Sequence, residues 1–185
     1  MKERSENKLS RRLVDIGAGF GEFFIKKAKA SPSKNFIIIE PFGVPDEKLP
    51  DNLTWIRAKL SDKNFLPLQD ASVDEVNLNF SLSAIYADYQ GSDQEFAKYL
   101  GKLLEETLRV LENDGQLIIR EERGFCKKIL EPGLKALGVG FEESPADVDS
   151  LSQTGQEALM DYYSDPDKNY HLQPLEIIIK GKKNK

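Results

Sequence analysis

Residues 13–22, LVDIGAGFGE, decide how this chain folds. The first four residues are those of a buried strand, and the apolar residues that begin at Phe23 have the spacing of a helix that continues to about Ala30. Three glycines stand at alternate positions between them: Gly17, Gly19 and Gly21. Glycine lets the backbone turn tightly and lets a ligand approach where a Cβ would obstruct it. The helix N-terminus adds free N–H groups and a positive dipole end, so the stretch predicts a site for a carboxylate or a phosphate.

The spacing of the glycines separates two kinds of nucleotide site. The dinucleotide fingerprint G-x-G-x-x-G requires a glycine where this chain has Glu22, so a nicotinamide oxidoreductase remains only as an alternative. The pattern D-x-G-x-G-x-G, from Asp15 to Gly21, instead resembles the first motif of class I S-adenosylmethionine-dependent methyltransferases. The resemblance implies that Asp15 holds the ammonium of the methionine moiety, directly or through water, and that Gly17, Gly19 and Gly21 form the cofactor loop.

Length and composition fit one ordered domain. The 185 residues are 39% hydrophobic and 31% charged, with a net charge of −5, which is typical of a chain that buries a sizeable core. We predict a single domain over residues 1–185, with an insertion at about residues 147–174. No apolar run is long enough to cross a bilayer and the first residues lack an apolar signal core, so we expect a cytoplasmic protein with no membrane contact. The single Cys126 is expected to be a small residue packed on a helix, and we predict no metal site.

Two further acids follow strand-like segments. Residues 35–40, NFIIIE, predict a buried second strand that ends at Glu40. The spacing from the glycine loop is near that at which doubly wound folds place an acid on the ribose hydroxyls, so we assign Glu40 this role. A third strand is predicted at residues 53–58. The order of Asp62, a leucine–proline–apolar turn and a later aspartate then resembles the methyltransferase pattern, which implies that Asp62 accepts the adenine amine.

The fourth predicted strand, residues 76–81, ends at the crevice where open α/β sheets bind ligands. We therefore expect Asn79 and Phe80 to bind the cofactor beside its reactive methyl, and Asn79 is the candidate catalytic residue. An amphipathic helix is predicted over residues 93–111, with its leucines in the core. The sequence NDG at residues 113–115 then predicts a tight turn into a fifth strand.

The last third of the chain completes the predicted sheet. We expect a helix over residues 125–137 that is interrupted or kinked at Pro132, then strands near residues 138–143 and at residues 175–180. The sequence RVLENDGQLIIRE resembles the helix–turn–strand of the methyltransferase family, and an antiparallel hairpin is that family's usual ending. The prediction is a Rossmann-like, doubly wound α/β fold whose seven-stranded sheet is mostly parallel with an antiparallel last strand.

A narrower resemblance does not extend to the catalytic residues. The segments VDIGAGFGEFFIKKAKASPSKNFIIIEPF and SVDEVNLNF are similar to bacterial tRNA guanine-N7 methyltransferases. In those enzymes the pattern continues into an aspartate, prolines and a tryptophan with nearby basic residues, whereas this chain continues with SLSAIY. Leu82 stands where the aspartate should be, so neither the catalytic role nor the tRNA substrate of that family carries over.

Two regions outside the shared motifs bear on the acceptor. Residues 81–91 are expected to form a substrate-side loop that contains Tyr86, Asp88 and Tyr89. The insertion is expected either to act as a lid or to form a peripheral helix that packs on the sheet. It holds the only histidine, His171, which is one option for a general base, although a lone histidine is more often satisfied by packing or solvent.

These features predict a methyltransferase that uses S-adenosylmethionine and acts on an unidentified acceptor. The acidic body of the chain would repel a nucleic-acid backbone, which favours a small-molecule acceptor; the likeness to a tRNA enzyme makes RNA the alternative. A non-catalytic module that binds the cofactor or a partner is a further alternative, because the family's aspartate is missing and only about a dozen residues precede the first strand. A homodimer is one arrangement that would cover the surface left by this short N-terminus.

Overall fold

The structure is a computed structural model that describes residues 11–18, 21–41, 48–58, 66–88, 92–146 and 174–181. The strands are β1 (Arg12–Ile16), β2 (Asn35–Ile39), β3 (Leu53–Ile56), β4 (Val73–Asn79), β5 (Leu111–Glu121), β6 (Glu142–Pro145) and β7 (Leu175–Lys180). The helices are α1 (Glu22–Ala30), α2 (Ser81–Asp88), α3 (Asp93–Val110), α4 (Arg123–Phe125) and α5 (Glu131–Ala136), with a π-helical turn, Cys126–Leu130, between the last two.

The strands form one sheet in the order β3-β2-β1-β4-β5-β7-β6. The first five strands of the chain pair in parallel, whereas β7 is antiparallel to both β5 and β6. The chain adds strands in one direction from β1 to β3 and in the other direction from β4 onward. The carboxyl ends of β1 and β4 therefore meet at the switch point, where open α/β sheets bind ligands. The predicted doubly wound sheet with an antiparallel last strand is confirmed.

The two faces of the sheet are unlike. On one face, apolar side chains of β1, β4, β5 and β7 pack against α3, and this core includes the predicted helical residues Phe96, Leu100, Leu103 and Leu104. On the other face, α1 covers β1 and β2, and the ring of Phe24 meets that of Phe36 edge-on at 5.5 Å. Beyond α1 this second face carries polar residues: Glu75, Asn77 and Asn79 alternate along β4.

Several element boundaries differ from the sequence predictions. β4 begins at Val73 and ends at Asn79, three residues earlier at its start than expected. The predicted NDG turn lies within β5 as an irregularity. The pairing of β4 with β5 shifts at this point, from Val73 opposite Leu111 to Glu75 opposite Gln116. The sixth strand lies later than predicted, at Glu142–Pro145. The extra residues of the NDG segment in β5 are accommodated as a bulge, which single-residue patterns do not predict.

The interrupted helix predicted over residues 125–137 is present, with its irregularity placed before the proline. The Glu131 N–H donates to the Cys126 carbonyl, the wider bonding of a π-helical turn, and α5 then begins with Pro132 in its first turn. Cys126 is fully buried, and burial raises the pKa of its thiol to about 12, so the expected packing role is confirmed.

Three predicted features lie outside the described residues. They are the two site residues Gly19 and Asp62, the loop residue Tyr89, and the insertion with His171, apart from Pro174 at its end. The single-domain prediction over residues 1–185 therefore stays a prediction. None of the helices that the structure describes is long and apolar enough to cross a membrane.

Candidate functional site

The turn after β1 is built around Gly17. Its φ of 72° is in the left-handed region, and its N–H donates to the Ile39 carbonyl at 3.0 Å, which extends the pairing of β1 with β2. A Cβ on Gly17 would lie 2.8 Å from the Cβ of Ser81, whose hydroxyl donates to the Ile16 carbonyl at 2.9 Å. Glycine is therefore required here because α2 begins directly against the turn.

Gly21 also adopts a left-handed conformation, with φ of 67°, immediately before α1. A Cβ at this position would lie 2.6 Å from the ring of Trp55 and 2.8 Å from Cδ1 of Ile38. From the sequence, the glycines were expected to provide clearance for a ligand. At both Gly17 and Gly21 the space that a Cβ would fill holds protein side chains instead, so these two residues allow close packing of the turn.

Asp15 is the charged residue nearest this turn on β1. It is only 2% exposed, and its Oδ1 accepts from Nδ2 of Asn79 at 3.4 Å. Burial raises the pKa of Asp15 to about 7, although the positive charges of Lys27 and Arg120 oppose the shift. The carboxyl group is thus held in a place where its negative charge is incompletely compensated by the protein.

Glu40 lies beside the same turn, directly after β2. It is 3% exposed, and its backbone N–H donates to the Ile56 carbonyl at 3.1 Å. The Gly17 N–H bonds the carbonyl of the residue before Glu40, and the charge of Glu40 contributes to the raised pKa of Asp15. The structure therefore brings Asp15, Gly17 and Glu40 together at the carboxyl edge of the sheet.

The end of β4 completes this group. The Asn79 side chain is 6% exposed, and its Oδ1 accepts from Nη1 of Arg120 at 3.2 Å. Phe80 follows with a φ of 53°, a left-handed conformation that is rare outside glycine, and its N–H donates to the Arg120 carbonyl at 2.8 Å. Backbone strain of this kind is concentrated at functional sites, which agrees with the position of Phe80 at the switch point.

Residues 81–88 form α2 and not the loop that the sequence analysis predicted. Glu121, at the end of β5, accepts from the backbone N–H of Leu82 at 2.7 Å and from the N–H and hydroxyl of Ser83 at 3.3 and 2.7 Å. A carboxyl group in this position satisfies N–H groups that have no partner within the helix. Leu82 itself is fully buried in the core.

Tyr86, predicted to face the substrate, has a packing role in α2. Its ring meets the rings of Phe96 and Phe125 edge-on, with centroids 5.1 and 5.7 Å apart. Its hydroxyl donates to Oδ1 of Asp93 at 2.6 Å, which raises the pKa of the phenol. These contacts join α2 to the start of α3 and to α4.

Three charged residues of the site were missed from the sequence. Arg120 and Glu121 end the predicted fifth strand and Lys27 lies in the predicted first helix, but none of the three was assigned a role. Burial lowers the pKa of Lys27, while Glu75 and Asp15 oppose this shift. The one available signal was the pair of charges at the end of QLIIRE, where a strand of a doubly wound sheet reaches the ligand crevice.

The arrangement suits a ligand that has a positive charge and hydroxyl groups. A buried carboxyl that is incompletely compensated gains most from a cation, and Asp15 offers this to an ammonium. The second buried acid, Glu40, offers an acceptor to hydroxyls. These are the chemical groups of the methionine moiety and the ribose of S-adenosylmethionine, so the described residues fit that cofactor.

Comparisons with known proteins support the fold. No protein-family model matches the chain, and no curated protein matches it. The 16S rRNA methyltransferase KamB is similar at 13% identity, with a TM-score of 0.64 over 94% of this chain and 88% of that one. The 16S rRNA (adenine(1408)-N(1))-methyltransferase from Catenulisporales acidiphilia is similar at 15% identity, with a TM-score of 0.57 over 95% and 89% of the chains.

A third similar structure is a complex of the Haloferax volcanii Trm112 methyltransferase activator with a putative methyltransferase. The identity is 16% and the TM-score is 0.52, over 95% of this chain and 85% of that one. At identities this low, the structural similarity establishes a shared fold and nothing finer. The chain therefore has the fold of the class I S-adenosylmethionine-dependent methyltransferases.

Proposed function

We propose that this chain is an S-adenosylmethionine-dependent methyltransferase that acts on RNA. The observation that carries the cofactor assignment is the buried Asp15 at the switch point, next to the Gly17 turn and Glu40. A nicotinamide dinucleotide has no use for an acid at this position, and Glu22 replaces the glycine that such a site needs.

The roles of the residues follow from their chemistry. Asp15 binds the ammonium, Glu40 accepts from the ribose hydroxyls, and the Gly17 turn fixes their separation. Gly19, Gly21 and Asp62 keep the cofactor-binding roles that the family resemblance implies. Asn79 and Phe80, at the end of β4, meet the reactive end of the ligand.

The reaction requires little acid–base catalysis by the protein. When bound, the cofactor supplies a sulfonium methyl that is already electrophilic. The chain has to align the acceptor with that methyl and exclude water, and a base is needed only where the nucleophile carries a proton. The buried ends of β1, β2 and β4 are suited to excluding water because Asp15, Glu40 and Asn79 are each at most 6% exposed.

RNA is the acceptor that the similar proteins favour. KamB and the enzyme from Catenulisporales acidiphilia are both named as 16S rRNA methyltransferases. The small-molecule acceptor favoured by the acidic composition gains no support from these similarities. A net charge of −5 does not prevent local basic contacts to phosphates, because association depends on the charge at the interface.

Calorimetric titration with S-adenosylmethionine and S-adenosylhomocysteine tests the cofactor site. We expect binding in the micromolar range by the intact chain and a loss of about tenfold or more in Asp15→Asn and in Glu40→Gln, because hydrogen bonds to charged groups are lost. Asp70→Asn is the matched control, since Asp70 is an exposed acid that pairs with Arg109 away from the site. Equal affinity in all four proteins would contradict the assignment.

Transfer of a labelled methyl group tests the acceptor. The chain is incubated with methyl-labelled S-adenosylmethionine and either purified 16S rRNA, total RNA or a protein-free metabolite extract. Label is expected in RNA and is expected to fall with Asp15→Asn when the cofactor concentration is limiting. Label that appears only in the metabolite fraction would replace RNA with a small-molecule acceptor.

A second candidate function is a non-catalytic module that binds the cofactor and a protein partner. It is favoured by Leu82, which replaces the aspartate of the tRNA enzymes and is buried in the core where it cannot contact a substrate. The complex of an activator with a putative methyltransferase of the same fold is consistent with it. Tight cofactor binding together with no transfer to any acceptor fraction would favour this second function.

A further inference from the structure

A ladder of polar side chains, buried or partly buried, crosses the sheet toward Asp15. It starts on β7, where Glu176 lies opposite Arg120 of β5, and Arg120 in turn lies opposite Asn79 of β4. Arg120 is 7% exposed and Asn79 is 6% exposed. Charged groups are seldom buried to this degree unless partners hold them in place, so the contacts of Arg120 need an explanation.

The guanidinium of Arg120 contacts three polar side chains. Its Nη1 donates to Oδ1 of Asn77 at 3.0 Å and to Oδ1 of Asn79 at 3.2 Å, and its Nη2 pairs with Oε2 of Glu176 at 2.7 Å. Arginine has donors only, so the atom of Asn79 that faces it has to be the oxygen. The amide nitrogen of Asn79 is then the atom that faces Oδ1 of Asp15, at 3.4 Å.

We propose that Arg120, held by Glu176, is a positioning residue of the cofactor site that fixes the Asn79 amide as a donor to Asp15. The proposal rests on the proposed function, in which Asp15 binds the cofactor ammonium. Without Arg120 the Asn79 amide can rotate and present its oxygen to the Asp15 carboxylate. Two acceptors would then face each other, and the carboxylate would lose both its orientation and part of its charge stabilisation.

The electrostatics around Asp15 agree with this role. Burial raises its pKa and is the largest effect, and the Glu40 charge adds to it; the charges of Lys27 on α1 and of Arg120 on β5 lower it, as does the hydrogen bond from Asn79. Glu75, which lies four residues before Asn79 on β4, acts on Lys27. Loss of Arg120 removes one positive charge and the support for the Asn79 bond, and both changes raise the pKa of Asp15.

The test measures S-adenosylmethionine binding by calorimetry between about pH 5.5 and 8.5 for the intact chain, Arg120→Met, Glu176→Gln and Arg109→Met. Arg109 is the matched control because it is likewise an ion-paired arginine, with Asp70 and Glu106 as its partners, away from Asp15. We expect Arg120→Met to weaken binding at pH 7 by about tenfold and to move the pH midpoint of binding upward by about one unit. Glu176→Gln should move it less and Arg109→Met not at all.

A structural role alone would change the thermal stability and leave the pH midpoint in place, so an unchanged midpoint in folded Arg120→Met overturns the proposal. Should that variant fail to fold, Glu176→Gln decides, because glutamine keeps the shape of a side chain that is only partly buried. The ligand's own ammonium titrates identically in every experiment, so the difference between proteins isolates Asp15.

A measurement without ligand separates this proposal from the proposed function. The carboxyl carbon of Asp15 is followed by NMR as a function of pH in the intact chain and in Arg120→Met or Glu176→Gln. An upward shift of its titration midpoint in the variants supports the positioning role even where no cofactor binds. Identical midpoints overturn it, whereas failure of the intact chain to bind S-adenosylmethionine overturns only the cofactor assignment.

Discussion

Gly17 and Gly138 have almost the same backbone conformation but different surroundings. Their φ angles are 72° and 69°. A Cβ on Gly17 would meet Ser81 at 2.8 Å, whereas a Cβ on Gly138 would have no heavy atom within 4 Å. Two costs of replacing a glycine can therefore be separated in one chain: the left-handed backbone, which is common to both, and the steric conflict, which belongs to Gly17 alone.

We expect Gly17→Ala to destabilise the chain by about 3 kcal/mol or more, because the left-handed penalty and the conflict with Ser81 add. Gly138→Ala should cost only about 1–2 kcal/mol, the backbone penalty alone. Urea unfolding followed by circular dichroism measures both.

The double variant Gly17→Ala, Ser81→Gly removes the atom that the new methyl group meets. It should recover part of the loss, although it also removes the Ser81 hydroxyl that bonds Ile16. Additive effects of the two substitutions would show that the close approach to Ser81 does not explain why this position is glycine.

At the scale of elements, α2 depends on a residue from another strand. The Glu121 carboxyl that receives the N–H groups of Leu82 and Ser83 is 39 residues from Leu82 along the chain. Burial raises the pKa of Glu121 to about 7, while its three hydrogen bonds oppose that shift. The hydrogen bonds at the start of α2 are therefore made to a carboxyl group, that of Glu121, that titrates near neutral pH.

Glu121 makes the chain less stable as the pH rises. Its pKa is 4.5 when unperturbed and about 7 in the fold, so between these values the folded state keeps a proton that the unfolded chain has lost, and stability falls across this window. The loss attributable to this group is on the order of 3 kcal/mol. Glu121→Gln, which stays neutral, should therefore be more stable than the intact chain at pH 8 and nearly equal to it at pH 4.5.

Urea midpoints at the two pH values test this expectation. Ser83→Ala serves as the control, because it removes one hydrogen bond and keeps the titrating carboxyl, so the pH dependence should persist. Parallel pH curves for the intact chain and Glu121→Gln would contradict the assignment of the proton to Glu121.

Elements defined by their own residues were predictable, and elements defined by distant partners were not. The leucines of α3 and the run LEIIIK of β7 carry their periodicity locally, so their positions agree with the prediction. The sequence SLSAIYAD has no acidic residue in its first turn and obtains its cap from Glu121, so it was interpreted as a loop. The site shows the same division: Asp15 and Glu40 end recognisable strands, whereas the role of Arg120 depends on a register that crosses three strands.

At the scale of the whole molecule, the two faces of the sheet have different roles: one forms the main core and the other carries charged groups. Along β7, Leu175, Ile177 and Ile179 are buried in the main core, while Glu176 and Ile178 on the opposite face are partly exposed. The apolar face supplies most of the burial that stabilises the fold. The opposite face is free to carry the charged groups that lead to Asp15.

Neighbouring isoleucines on β7 test this division. Ile177→Ala should destabilise the chain by about 2–5 kcal/mol, because it leaves a cavity in the packed core. Ile178→Ala, the same substitution one residue away, should cost only about 1 kcal/mol, since its side chain already contacts solvent. Thermal and urea unfolding measure both, and equal losses would show that the two faces contribute alike.

One border of the sheet also affects how copies of the chain meet. Within the part of the chain that the structure describes, β6 is the outermost strand beyond β7, and all four of its residues are exposed: Glu142, Glu143, Ser144 and Pro145. Glu142 and Glu143 carry charged groups along this border, where they pair with Lys180 and Lys127, and Pro145 has no N–H to donate to another strand. Growth of the sheet from molecule to molecule is therefore obstructed at this border, which protects concentrated protein from strand-mediated aggregation and directs any self-association to other surfaces.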